Sequence, residues 1–162
     1  MIGGLVATPS VSCVDPALDV GNRAVVDLLA GWLDDRGFDV MVTSVEGQAN
    51  KANMVATLGR GEAGLMLAGH ADTVPYDAAR WRHDPFALTE ADGRWYGLGT
   101  SDMKSFFALA LEAIRDIDAS DLVRPLVVVA TADEETTMAG ARALVEHGIG
   151  GVRHAVIGEP TA

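Results

Sequence analysis

The chain has 162 residues, the size of one domain, with 12 Lys plus Arg against 23 Asp plus Glu and a net charge of −11. Hydrophobic residues make up 49% of it, which supports a core and excludes wholesale disorder, and no apolar run approaches the roughly 18 residues of a membrane span. The acidic balance argues against nucleic-acid or anionic-membrane partners, and the single cysteine, Cys13, excludes an internal disulfide and fits a reducing, cytoplasmic compartment.

The start, Met1-Ile2-Gly3-Gly4, lacks the basic and apolar regions of a secretory signal and suggests little of a first helix. Asp15-Pro16 predicts a helix start, with Val20, Ala24, Val25, Leu28, Leu29, Trp32 and Leu33 at helical spacing and Gly37 as its stop. Phe38, Val40 and Val42 alternate as on a strand, and Asn53 to Leu58 predicts a second one. Leu65 to Ala68 predicts a third, running into Gly69-His70-Ala71-Asp72, and residues 73 to 85 predict a loop around Pro75 and Pro85. Asp92-Gly93 between Phe86–Glu90 and Arg94–Tyr96 is a hairpin signal. An apolar helix follows over Met103 to Ile117. Leu126 to Ala130 is a β-branched run that predicts a strand buried on both faces. Thr137 to His147 predicts a helix ended by Gly148, and His154 to Ile157 a last strand. Helices alternating with apolar strands predict an α/β fold with a mixed, mostly parallel sheet and helices on both faces.

On that scaffold His70 and Asp72 lie past the carboxyl end of one strand, Asp133, Glu134 and Glu135 past a second, and Glu159 past a third. Asp102 sits in the glycine turn before the apolar helix. Open α/β sheets bind ligands at that edge, and carboxylates gathered there repel unless a cation sits among them. One imidazole with several carboxylates suits Zn²⁺, and the surplus suits two ions sharing a carboxylate. Of the Glu134-Glu135 pair, one carboxylate can hold metal while its neighbour takes a proton from water. Asp72 can accept the other ring N–H of His70. Gly97-Leu98-Gly99 is no dinucleotide fingerprint, because Asp102 replaces the third glycine. No calcium-loop spacing of acidic residues is present, and a calcium module would leave His70 without a role. His83 and His147 fit a surface loop and a helix end, and His154 lies about 16 Å from Glu159, five strand steps away.

Four segments carry a resemblance: Leu67–Pro75, Tyr96–Lys104, Ala130–Thr136 and Ile157–Thr161. In that order they resemble the dinuclear zinc amidohydrolases, a family that includes acetylornithine deacetylases, succinyl-diaminopimelate desuccinylases, carboxypeptidase G and aminoacylases. Arg80-Trp81, Leu98 and Asn50-Lys51-Ala52-Asn53-Met54 bring it nearest the acetylornithine deacetylases. The resemblance implies a three-layer αβα zinc-peptidase-like catalytic domain. It also implies two Zn²⁺ ions, with Co²⁺ as a substitute. His70 and Glu159 would hold the first ion, Asp102 both, and Glu135 the second. Asp72 would orient His70, and Glu134 would be the general base. The bond after Asp102 is often cis in such proteins. The implied reaction is hydrolysis of N2-acetyl-L-ornithine to L-ornithine and acetate, in arginine biosynthesis. A small-molecule substrate and a homodimer are the implied partners.

The departures shape a second set of expectations. Ser105 stands where the family mostly carries glycine. Members continue past the Gly-Glu-Pro-Thr segment into a lid and dimerisation domain and a returning stretch that supplies a histidine. Residues 1–162 therefore correspond to an N-terminal portion of the catalytic domain, incomplete at its C-terminal side. Two alternatives stay open: a deacylase for another N-acyl amino acid, and an inactive fragment or one half of a split protein.

Overall fold

A computed structural model describes residues 1–160, so Thr161 of the last motif lies outside the described residues. Four helices, α1 (Ile2–Ala7), α2 (Arg23–Asp34), α3 (Ser105–Ala113) and α4 (Ala139–His147), accompany seven strands. The strands are β1 (Asp39–Val45), β2 (Gln48–Leu58), β3 (Gly64–His70), β4 (Thr89–Ala91), β5 (Arg94–Tyr96), β6 (Leu126–Thr131) and β7 (Val152–Ile157). The main sheet runs β1-β2-β6-β3-β7, and β4 and β5 form a separate hairpin. β1 with β2 and β2 with β6 are antiparallel, while β6 with β3 and β3 with β7 are parallel. No helix among the described residues is long and apolar enough to cross a membrane.

Period-2 alternation on β2 sorts the two faces. Ala52, Met54 and Ala56 enter the larger core with Leu29 and Leu33 of α2 and Phe107 and Leu111 of α3. Val55 instead packs on the opposite face, where Val127 and Val129 meet Leu144 of α4. β6 is buried along Leu126–Ala130, as its β-branched run predicts. The hairpin turn holds Asp92 and Gly93 at positive φ, 53° and 69°, the geometry that favours glycine.

Three sequence expectations need correction. The helix predicted from Asp15-Pro16 begins only after Asn22. Asp15 instead closes a turn, its carboxylate accepting the Ala17 N–H and its carbonyl the Leu18 N–H. At the start of the chain a short helix, α1, does form and buries Leu5 and Val6. β2 also starts earlier than its apolar residues suggest, at Gln48 rather than Asn53, because Gln48 and Ala52 pair with Val45 and Ser44 of β1.

Candidate metal centre

The three parallel strands set the site. His70 closes β3 directly opposite Thr131 at the end of β6. Ile157 of β7 pairs with Ala68, so Glu159 lies as far along its strand as His70 does along its own. The Asp133–Glu135 turn follows β6, and Asp102 enters from the loop before α3. His154 pairs with Leu65 at the far end of β3, remote from the site.

Around the buried His70 the acceptors gather on one ring nitrogen. Nε2 lies 3.0 Å from Asp102, 3.7 Å from Glu159 and 3.9 Å from Glu134. Nδ1 lies 3.0 Å from the Asp72 main-chain carbonyl, and the Asp72 carboxylate stands 3.6 Å away. With Nδ1–H donating to that carbonyl, Nε2 faces the carboxylates: protonated, it donates to Asp102, and deprotonated, its lone pair is free for an ion. The Asp72 carboxylate also accepts the Glu134 and Glu135 main-chain N–H groups, at 3.3 and 3.2 Å. One side chain therefore ties the end of β3 to the turn after β6. The bond between Asp102 and Met103 is cis.

Two overlapping groups could hold an ion: His70, Glu134 and Glu135, and His70, Asp102 and Glu159, each with ligand atoms within 4.8 Å of one another. The donor set of one imidazole and several carboxylates suits a divalent cation. Glu135 Oε1 adds a specific sign, being buried without a hydrogen-bond partner among the described residues.

The electrostatics match crowding by unpaired charge. Burial opposes a charged His70, but Asp72, then Glu134 and Asp102, outweigh it and raise the ring to about 9. Burial, and then the charge of Asp102, push Glu135 up to about 7. Burial also raises Glu134, with His70 working the other way and Glu159 adding to the rise.

Backbone must pass close by to deliver these groups. A Cβ on Gly158 would run into the Phe106 ring, and one on Gly69 into Met103 and Phe107. Gly158→Ala is expected to cost about 1–3 kcal/mol in urea unfolding, with loss of metal affinity through the adjoining Glu159. Unchanged unfolding and metal binding would show that the sheet edge yields freely.

The structure thus brings together His70, Asp72, Asp102, Glu134, Glu135 and Glu159. Lys51 and Asp133, which the sequence reading places in motifs without a ligand role, lie directly behind them. Lys51 Nζ is 2.5 Å from Asp133 and 3.0 Å from Asp19. The sequence offers each half separately, Lys51 in the Asn50–Met54 segment and Asp133 past the end of β6, but nothing that pairs them.

The model of peptidase family M20/M25/M40 matches residues 66–162. The acetylornithine deacetylase of Pectobacterium carotovorum subsp. carotovorum (strain PC1) is 57% identical over 158 residues, 98% of this chain and 41% of the relative. Human carnosine dipeptidase 1 aligns with a TM-score of 0.82 and 24% identity, over 99% of this chain and 38% of its own. An M20 family metallo-carboxypeptidase from Sulfolobus solfataricus aligns with a TM-score of 0.78 and 19% identity, over 97% and 36%. The chain spans less than half the length of each.

Proposed function

Because the chain belongs to peptidase family M20/M25/M40, we propose that its histidine–carboxylate cluster binds divalent metal and serves the hydrolysis of an N-acyl amide. The substrate proposed is N2-acetyl-L-ornithine, giving L-ornithine and acetate. The 57% identity to a protein named acetylornithine deacetylase supports that choice. Arginine biosynthesis, a cytoplasmic location and a homodimer follow from the same resemblance.

The observation that carries the proposal is the convergence of His70, Asp102, Glu134, Glu135 and Glu159 on one sheet edge. His70, Asp102 and Glu159 hold the first ion in this proposal, and Asp102 with Glu135 the second. Zn²⁺ suits the mixed imidazole and carboxylate set, and Co²⁺ substitutes for it. The bound ions supply Lewis acidity, polarising the acyl carbonyl and lowering the pKa of water. Glu134 takes the proton of the attacking water and delivers it to the departing amine. Asp72 fixes the His70 ring through its own main-chain carbonyl and holds the Glu134 turn through its carboxylate.

Among the described residues the first ion has three donors and the second two. Dialysis against Zn²⁺ or Co²⁺ is therefore expected to leave about one tightly held ion per chain, with a second entering only at higher concentration. A His70→Ala chain should retain none. Metal analysis decides this; equal retention by wild type and His70→Ala would sink the site. The reaction is tested with the loaded protein on N2-acetyl-L-ornithine, N-succinyl-diaminopimelate and other N-acyl amino acids. Preference for a different acyl amide would reassign the substrate, and hydrolysis that survives both chelation and His70→Ala would refute the metal-dependent hydrolase; this chain spans 41% of the relative's length, so low turnover is expected until the rest of the site is supplied.

A further inference from the structure

The turn after β6 has to present two consecutive glutamates, and its first residue is held in an unusual way. Asp133 has φ of 62°, the left-handed region that non-glycine residues rarely adopt. Its carboxylate is almost wholly buried, 1% exposed, and so points inward while Glu134 and Glu135 reach the cluster. Four donors converge on it. Ser12 Oγ and Lys51 Nζ each lie 2.5 Å from Oδ1, Thr136 Oγ1 lies 2.6 Å from it, and Thr137 donates to Oδ2. Lys51, itself 6% exposed, bonds Asp19 as well. It reaches the turn because it projects from β2 on the same face as Asn53, whose amide spans Ala132 N–H and Gly140 C=O across the base of that turn.

We propose that Lys51 is a positioning residue, whose bond to the buried Asp133 carboxylate fixes the left-handed turn that aims Glu134 and Glu135 at the metal cluster. This rests on the metal-dependent reading above. The three hydroxyls alone satisfy hydrogen bonds but supply no charge. The ammonium, 2.5 Å away, is the cation that pairs with the buried Asp133 carboxylate and holds it inward. An inward Asp133 leaves the next two side chains on the cluster side. A released one would turn toward solvent and carry them with it. The first ion, on His70, Asp102 and Glu159 in that reading, takes no ligand from this turn and is reached only through the Asp72 link, so the device acts chiefly on the second ion.

That asymmetry supplies the test. Co²⁺ is titrated into wild type, K51M and the double variant K51M/D133N, followed by visible absorption for the tight and weak ions separately. The double variant leaves no charge unpaired at position 133 and keeps an acceptor oxygen there, while Asp19, 16% exposed, retains the Cys13 N–H, so it tests the proposal even where K51M does not fold. The expected result is a weak-ion dissociation constant at least about fivefold higher, with the tight ion changed less than about twofold. A merely structural role would weaken both ions alike or lower thermal stability alone, and either result overturns the proposal, as does wild-type behaviour at both. If wild type itself takes up no Co²⁺, the metallohydrolase reading falls and this inference with it. Normal loading of wild type beside equally loaded variants sinks this inference alone.

Discussion

Glutamine in place of Glu134 is expected to lower turnover by about 10²- to 10⁴-fold while the protein keeps its metal. The substitution preserves size and leaves the Glu134 main-chain N–H on the Asp72 carboxylate, 3.3 Å away. It removes only the capacity to accept a proton. Burial raises the Glu134 pKa, as do neighbouring Glu159, Asp72 and Asp102, although the charge of His70 opposes them. A carboxylate moved toward neutral pH is a better match to proton transfer from water than one at its ordinary value. Glutamine in place of Glu135 should behave differently. Among the described residues Oε1 of Glu135 is buried without a partner, so its loss should show first as a weakened second ion. Kinetics and metal content measured on both variants separate the two roles. Less than a tenfold fall in turnover for Glu134→Gln would move the base to another group.

The sheet strands that frame this site were legible because each is a short β-branched or apolar run, bounded by glycine in β3 and β7 and by Pro125 before β6, although only β6 is buried along its length. The site was legible for a related reason: parallel strands share one carboxyl edge, so motifs at strand ends must converge. What escaped depended on contacts distant in sequence. Helix α1 carries Gly3 and Gly4 and has six residues, too few for a period to register; the burial of Leu5 and Val6 forms it. Asp15-Pro16 carries a sound helix-start pattern, yet the side chain closes a local turn and the helix waits for Asn22. The link from the Asp72 carboxylate to the Glu134 and Glu135 N–H groups depends on the register of β3 against β6. The Lys51–Asp133 pair spans 82 positions of sequence, and no local pattern marks it.

The second large effect is on stability. Protein stripped of metal by a chelator is expected to lose folding free energy as pH rises from 6.5 to 9: His70 withdraws about 3 kcal/mol, and Lys104, lowered to about 8 by burial, returns about 1 kcal/mol above pH 8. Folded His70 binds its proton more tightly than the unfolded chain does, because its pKa stands at about 9 against an ordinary 6.5. The charged ring thus contributes its full stability below pH 6.5, and that contribution is gone above about 9. Glu135 acts in the same sense at lower pH. Its carboxyl, raised to about 7, makes the fold lose stability between 4.5 and 7 as the proton leaves. Asp133 opposes both only in acid, since its depressed pKa withdraws stability as pH falls below its ordinary range. Metal inverts the trend, because an ion must displace the His70 proton and that of Glu135, and uptake strengthens as those protons become easier to remove. Denaturant unfolding at pH 6 and pH 9, with chelator and with Zn²⁺, should therefore give curves that diverge with pH. Calorimetry at pH 7 in buffers of different ionisation enthalpy should register about one proton released for the first ion. A stripped protein as stable at pH 9 as at pH 6, or metal uptake without proton release, would mean that His70 is not charged among these carboxylates. The cluster would then already be neutralised by other means, and the electrostatic argument for a cation among them would fail.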